Sequence, residues 1–128
     1  MSYYFSKKVK FSFEQAVAKV KEALQKEGFG VLTEIDVRAT LKKKLNVEFR
    51  PYQILGACNP PFAYQALQAE DKIGTMLPCN IIVQQLSDEE CEIAAINPLE
   101  SMKAIGNPKL REVAEQVQAK LKSVIDSI

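Results

Sequence analysis

Histidine is absent from this 128-residue chain. Without imidazole, one chain cannot build the catalytic triads that use histidine as the base, and His-rich metal sites are excluded as well. An excess of charge of one sign is also missing, because 17 Lys and Arg stand against 16 Asp and Glu, for a formal net charge of +1. General nucleic-acid binders and binders of anionic membranes usually carry a clear basic excess. We therefore expect neither nucleic acid nor a membrane as partner.

Long apolar runs and close cysteine pairs are missing too. No apolar stretch of signal-peptide length follows Lys7 and Lys8, and the strongly apolar runs are too short to span a bilayer. We therefore expect a cytoplasmic location. The three cysteines, Cys58, Cys79 and Cys91, form no C-x-x-C motif, so neither a zinc ribbon nor a thioredoxin-type redox pair is predicted. In a reducing cytoplasm we expect free thiols.

The composition is that of a globular domain. The chain is 47% hydrophobic and 26% charged, and at this length it can bury a sizeable core without disulfide or metal. No internal repeat, low-complexity tract or linker interrupts it. We expect one domain over residues 1–128.

The opening of the chain predicts a strand followed by a helix. Apolar and polar residues alternate from Tyr3 to Phe11, as expected for a strand with one buried face, and Lys7 is the exception. Ser12 and Gln15 then have the spacing of a capping box. Gly28 follows the helical pattern as a left-handed stop.

The remaining elements are a strand over 29–35, a short helix capped by Asp36, and a strand near 52–57. A helix from Pro60, two strands over 77–86 and 90–96 joined by a polar turn, and a final helix opened by Asn107 and Pro108 follow. Two long amphipathic helices need an apolar sheet face to cover. The pattern therefore predicts an α+β two-layer sandwich, with a mostly antiparallel sheet of about five strands in the order β-α-β-β-β-β-α. The triplet Lys42–Lys44 suits the negative end of the short helix, and a solvated helix end is a simpler interpretation than a phosphate or nucleic-acid site.

Two segments with a Cys-Asn pair beside proline are candidates for chemistry. Cys58 and Asn59 leave a strand just before the helix that Pro60 begins, and Cys79 and Asn80 follow Pro78 at the start of another strand. Unpaired N–H groups at a helix start lower a thiol's pKa and favour anions. If the two strands are neighbours, these four residues form a small polar pocket. Tyr64, one turn into the helix, is a candidate for its rim.

The same residues also have a purely structural interpretation. Asn59 has the position of a helix N-cap, and free cysteine commonly packs as a small hydrophobe. Asn80 could satisfy backbone groups at a strand start. Cys91, between Glu90 and Glu92 and beside an apolar residue, is interpreted as core packing. The sequence predicts no metal site and no catalytic residue, and it identifies no cofactor.

The segments Tyr52–Pro61 and Leu77–Asn80, with Ala63, Ala66, Leu67, Ile73 and Gly74 between them, resemble the domain-of-unknown-function 302 family of bacteria and archaea. The opening strand and helix, and Asp36 before its lysine-rich helix, are similar to that family as well. The resemblance implies a strand-helix-four-strand-helix fold and a homodimer, and it supplies no activity.

Three functions remain open from the sequence. The first is a homodimeric binding or interaction module whose pocket of Cys58, Asn59, Cys79 and Asn80 takes a small anionic or polar ligand. The second is a thiol-dependent enzyme or a sulfur or redox carrier that uses Cys58 and Cys79. The third is a structural role without pocket chemistry. The missing histidine weakens the second, because no imidazole can deprotonate the thiol.

Overall fold

Five strands pair into an antiparallel sheet in the computed structural model, which describes residues 2–128. The strands are β1 (Tyr4–Val9), β2 (Gly30–Asp36), β3 (Tyr52–Cys58), β4 (Cys79–Ser87) and β5 (Glu90–Ile96). Their order across the sheet is β1-β5-β4-β3-β2. All four strand pairs are antiparallel.

The helices are α1 (Phe13–Lys26), α2 (Val37–Leu45), α3 (Pro60–Ala69), α4 (Pro98–Ser101) and α5 (Pro108–Asp126), and two 3-10 turns cover Asp71–Met76 and Lys103–Ile105. The long helices α1 and α5 pack on one face of the sheet and against each other. The predicted α+β fold with a five-stranded antiparallel sheet is confirmed.

The core lies between the sheet and these two helices. Alternate residues of the central strands point into it, among them Leu55, Ile81 and Ile93, and α1 and α5 contribute Leu24 and Leu121, all fully buried. Each such side chain stabilises the fold by roughly 1.5–3 kcal/mol relative to exposure to water. The apolar side of the sheet and the apolar stripes of the two helices therefore pack together in one layer.

Three of the predicted helix ends form as expected. The Ser12 side chain accepts a hydrogen bond from the N–H of Gln15 at 3.2 Å, and the Gln15 side chain accepts one from the N–H of Ser12 at 3.3 Å. Asp36 accepts from the N–H of Ala39 at 2.9 Å to begin α2. Gly28 has φ +84°, the left-handed conformation that ends α1.

Lys7 breaks the alternation of β1 for a tertiary reason. It lies on the helix-facing side of the strand, between Phe5 and Val9, and its ammonium donates to the backbone carbonyls of Asp126 and Ile128. These carbonyls lie at the C-terminal end of α5, where the helix dipole favours a cation. The long side chain therefore leaves the core at its edge, where its charge has partners.

Neither of the two long helices covers the opposite face of the sheet. A row of side chains crosses that face in register, from Ile35 through Ile54, Ile82 and Ala94 to Ser6. The first four are apolar and only partly buried or exposed. We call this side of the sheet the open face.

Close packing of β2 on β3 at Gly56 gives a first prediction. A Cβ at this position would overlap the Thr33 hydroxyl and would lie 2.7 Å from the ring of Pro78, whereas a Cβ at Gly30 would meet nothing within 4 Å. We expect Gly56→Ala to lower the free energy of unfolding by about 1–3 kcal/mol, because the backbone must shift. Gly30→Ala should change it by less than about 0.5 kcal/mol. Urea denaturation of both variants measures this, and equal stabilities would contradict it.

Candidate ligand cavity between the sheet and α3

The two cysteine segments lie on neighbouring strands. β3 pairs with β4, with Ala57 opposite Cys79, so Cys58 is the next residue beyond that pair. Cys58 is half-buried and Cys79 is buried. Both line one cavity of about 320 Å³ at this end of the sheet.

The cavity walls are almost wholly apolar. Its polar side chains are the Cys58 and Cys79 thiols and the Asn59 amide, and none of the lining side chains is charged. The hydrocarbon wall comes from the ends of β3 and β4, from α3 and α5 and from the adjacent loops, with Phe29, Phe62, Leu77, Leu110, Val113, Val117 and Met102 among its larger members.

Small side chains create the space. α3 and α5 pack against each other, and where they approach the sheet they present Ala63, Ala66 and Ala114, with Ala57 of β3 below them. Pro60 and Pro61 fix the first turn of α3, where a missing N–H costs no helical bond. The start of α3 is thereby rigid, and alanines leave volume that leucines would fill.

Asn59 holds α3 to the end of α1. Its Nδ2 donates to the backbone carbonyl of Glu27 at 3.3 Å, and its side chain makes no capping bond to α3. The interpretation of Asn59 as a side-chain N-cap is therefore wrong. The left-handed Gly28 allows this contact, since a Cβ there would lie 3.2 Å from Nδ2.

Asn80 and Tyr64 lie outside the cavity. Asn80 is exposed and pairs with Gly56 on the open face, where it lines a shallow depression with Tyr4, Tyr52 and Ile82. Tyr64 is 65% exposed on α3. The structure thus brings together Cys58, Asn59 and Cys79, and leaves the other two candidates elsewhere.

The alternation of β4 contained the signal that separates Cys79 from Asn80. Cys79, Ile81 and Val83 point to the helices, so the intervening Asn80 points to the other face. Sequence reasoning also missed the α5 wall, Val113, Ala114 and Val117. The amphipathic pattern of this helix predicts a sheet-facing side, and nothing in that pattern shows which part of it faces a void.

Burial decides the chemistry of Cys79. Desolvation, with a smaller contribution from repulsion by Cys58, raises the pKa of Cys79 from 9.0 to about 11. The thiol is therefore neutral at pH 7, which disfavours Cys79 as a nucleophile. Burial also raises the pKa of Cys91, whose Sγ donates to the carbonyl of Phe11 at 3.4 Å. Cys91 is confirmed as a core residue.

The raised pKa of Cys79 predicts a loss of stability in alkali. The folded state holds the proton until about pH 11, whereas the unfolded thiol releases it near the ordinary pKa of 9.0. Stability from this residue is thus complete below about pH 9 and falls by about 2–3 kcal/mol as the pH rises to 11. The free-energy difference between wild type and Cys79→Ala, measured by urea denaturation at several pH values, should shrink by that amount.

Cys58→Ala is the control for this titration. It removes the neighbouring thiol and keeps the burial, which is the larger cause of the shift. Most of the alkaline loss should therefore remain in this variant. Parallel pH profiles for wild type and Cys79→Ala would contradict the assignment.

Residues 2–128 hold neither a candidate metal-binding cluster nor a helix able to cross a membrane. In this part of the chain, His, Cys, Asp and Glu do not gather in a group of three or more that suits a metal ion. Each helix there is also too short or too polar to cross a bilayer.

A five-stranded antiparallel sheet with two long helices on one face places this protein among small α+β domains. Within that class, residues 5–128 match the family model described as domain of unknown function DUF302, and the chain belongs to that family. It is similar to the crystal structure of an uncharacterized conserved DUF302 protein from Bacillus stearothermophilus. That likeness has a TM-score of 0.90 and 28% sequence identity, and it covers 98% of each chain. The comparison with curated proteins gave no match.

Proposed function

We propose that this DUF302 protein is a homodimeric binding module that holds a small, predominantly apolar molecule in the cavity between the sheet, α3 and α5. The observation that carries the proposal is the cavity itself. It measures about 320 Å³, and its side chains are apolar except for two thiols and one amide.

The size and the lining define the ligand class. Small-molecule sites commonly have volumes of about 300–1,000 Å³, with apolar walls and a few polar groups that orient the ligand. An anion here would lose its hydration without gaining a cation, since none of the lining side chains is charged. The ligand we propose is therefore mainly hydrocarbon, with one weakly polar group directed at Asn59 or the thiols, in place of the anionic or polar ligand expected from the sequence.

The adjacency of Cys58 and Cys79 supports a second candidate, a thiol redox carrier. In that function the two thiols would form a disulfide and give two electrons and two protons to an oxidant such as glutathione disulfide. The neutral, buried Cys79 favours the binding module over this candidate. Incubation with glutathione disulfide followed by intact-mass measurement tests it. Loss of two hydrogen atoms in wild type and in Cys91→Ala, but not in Cys58→Ala, would support the carrier.

Filling the cavity should abolish binding. Ala114 of α5 is 3% exposed and lines the cavity, and Ala114→Leu adds methyl groups to that space. The uncharged fluorescent probe N-phenyl-1-naphthylamine should bind wild type. Its affinity for the variant should be lower by at least about tenfold, which is a loss of about 1.4 kcal/mol of binding free energy. Fluorescence titration measures this. The melting temperature should stay equal or rise, because the added atoms occupy a void.

Ala119→Leu is the matched control. Ala119 lies on the same helix but is exposed and does not line the cavity. This variant should bind the probe as wild type does. Equal binding by all three proteins, or none by wild type, would contradict a ligand in this cavity.

A further inference from the structure

We infer that two copies of this chain pair through the open face, and that α2 of each copy docks on the β4–β5 turn of the other. The inference rests on the proposed homodimer and assigns the surface and the charges that form it.

α2 and the loop after it form an exposed basic segment, residues 37–50. It carries five cations and one carboxylate, for a net charge of +4, whereas the whole chain has +1. No residue of α2 is buried, and the helix packs mainly on β2 and β3. Lys42 pairs with Glu48, but Arg38, Lys43 and Lys44 make no ion pair within residues 2–128. These cations are available to a partner.

The β4–β5 turn is the acidic counterpart. Asp88, Glu89 and Glu90 are consecutive, and among the described residues none of the three makes an ion pair. The nearest cation by strand register is Lys8, which lies opposite Glu92 rather than the turn. We call residues 88–90 the acidic turn.

Both elements lie at the same end of the sheet. Tyr52, the first residue of β3, pairs with Gln84 near the end of β4. The connection from β2 to β3, which contains α2, and the turn from β4 to β5 therefore project side by side from the same end of the sheet. The basic segment connects β2 to β3, and the acidic turn connects β4 to β5.

Symmetry limits how two open faces can meet so that these charges pair. A two-fold axis across the strands would send the basic segment to the far end of the partner, and an axis normal to the sheet would not stack the faces. An axis parallel to the strands keeps both elements at one end and exchanges left with right. When it runs between β3 and β4, each basic segment falls on the partner's acidic turn, so the contact occurs twice.

The same axis matches the apolar row with itself. It places β3 over the partner's β4 and β2 over the partner's β5. Ile54 then faces the partner's Ile82, and Ile35 faces the partner's Ala94, because these four residues lie in one register row. Aligned sheets pack in this manner about 10 Å apart.

The area is sufficient for a dimer. Four overlapping strands about 4.8 Å apart and about 20 Å long cover roughly 400 Å² of flat footprint, and two docked helices about 14 Å long raise it to roughly 700 Å². Stable interfaces bury about 800 Å² of accessible surface per partner. Because side chains make the surface uneven, the accessible area of the proposed interface is larger than its flat footprint.

Charge reversal with exchange tests the pairing. One variant carries Lys42→Glu, Lys43→Glu and Lys44→Glu, and the other carries Asp88→Lys, Glu89→Lys and Glu90→Lys. Each alone sets like charges against each other twice, so its dimer dissociation constant should rise at least about tenfold over wild type at low salt. An equimolar mixture restores opposite charges at both contacts. Analytical ultracentrifugation should then show a heterodimer with near wild-type affinity.

Lys103→Glu, Lys109→Glu and Lys122→Glu together form the matched control. They change the net charge by the same amount as the lysine reversal does, at exposed positions away from the open face, and the dimer should persist. Binding of N-phenyl-1-naphthylamine in the cavity should be unaffected in every variant, which reports a folded protein and tests the ligand proposal separately.

Three results would overturn the inference. Dimers that survive either reversal would show that the copies pair through another surface and would leave the proposed homodimer intact. Reversal variants that dissociate but do not recombine would exclude this charge pairing. A monomeric wild type would contradict both the homodimer and its interface. Probe binding would still test separately whether the cavity holds a ligand.

Discussion

Burial of one face of the antiparallel sheet is the constraint on which the rest of the structure depends. Leu55, Ile81 and Ile93 direct their side chains to one side, and α1 and α5 must cover them. Covering one face leaves the other uncovered and sends every second residue of each strand there. The chain therefore has two surfaces of different character, and each candidate site belongs to one of them.

The cavity arises where this covering layer is thin. α5 runs along the sheet with large side chains such as Leu121 at one end and with Ala114 near the other, where it meets α3. Interiors normally pack to crystal-like density, so a void of this size forfeits contacts that a ligand would restore. The same low-polarity setting keeps the Cys79 thiol neutral, which supports the proposed binding module over thiol chemistry.

The open face has the opposite character, because its apolar row lies near a basic helix and an acidic turn, and most of their charges make no ion pair within residues 2–128. A basic helix and an acidic turn lie at one end of the sheet, and within residues 2–128 no ion pair joins them. In the proposed dimer, a two-fold axis would bring the basic helix of one copy onto the acidic turn of the other. The electrostatic pairing would fix the register, while the apolar row would supply most of the affinity.

Local interactions were readable from the residues alone. The Ser12–Gln15 capping box, the Asp36 cap, the left-handed Gly28 and the strand alternation all follow from neighbours within a few positions, and they were enough for the α+β architecture. Tertiary structure decided the rest. Lys7 lies on the helix-facing side because the carbonyl end of α5 is there, and Asn59 contacts Glu27 instead of capping its own helix. Cys79 faces a cavity while Asn80 faces away from it. These outcomes depend on which distant segments meet, and a short-range pattern carries no information about that.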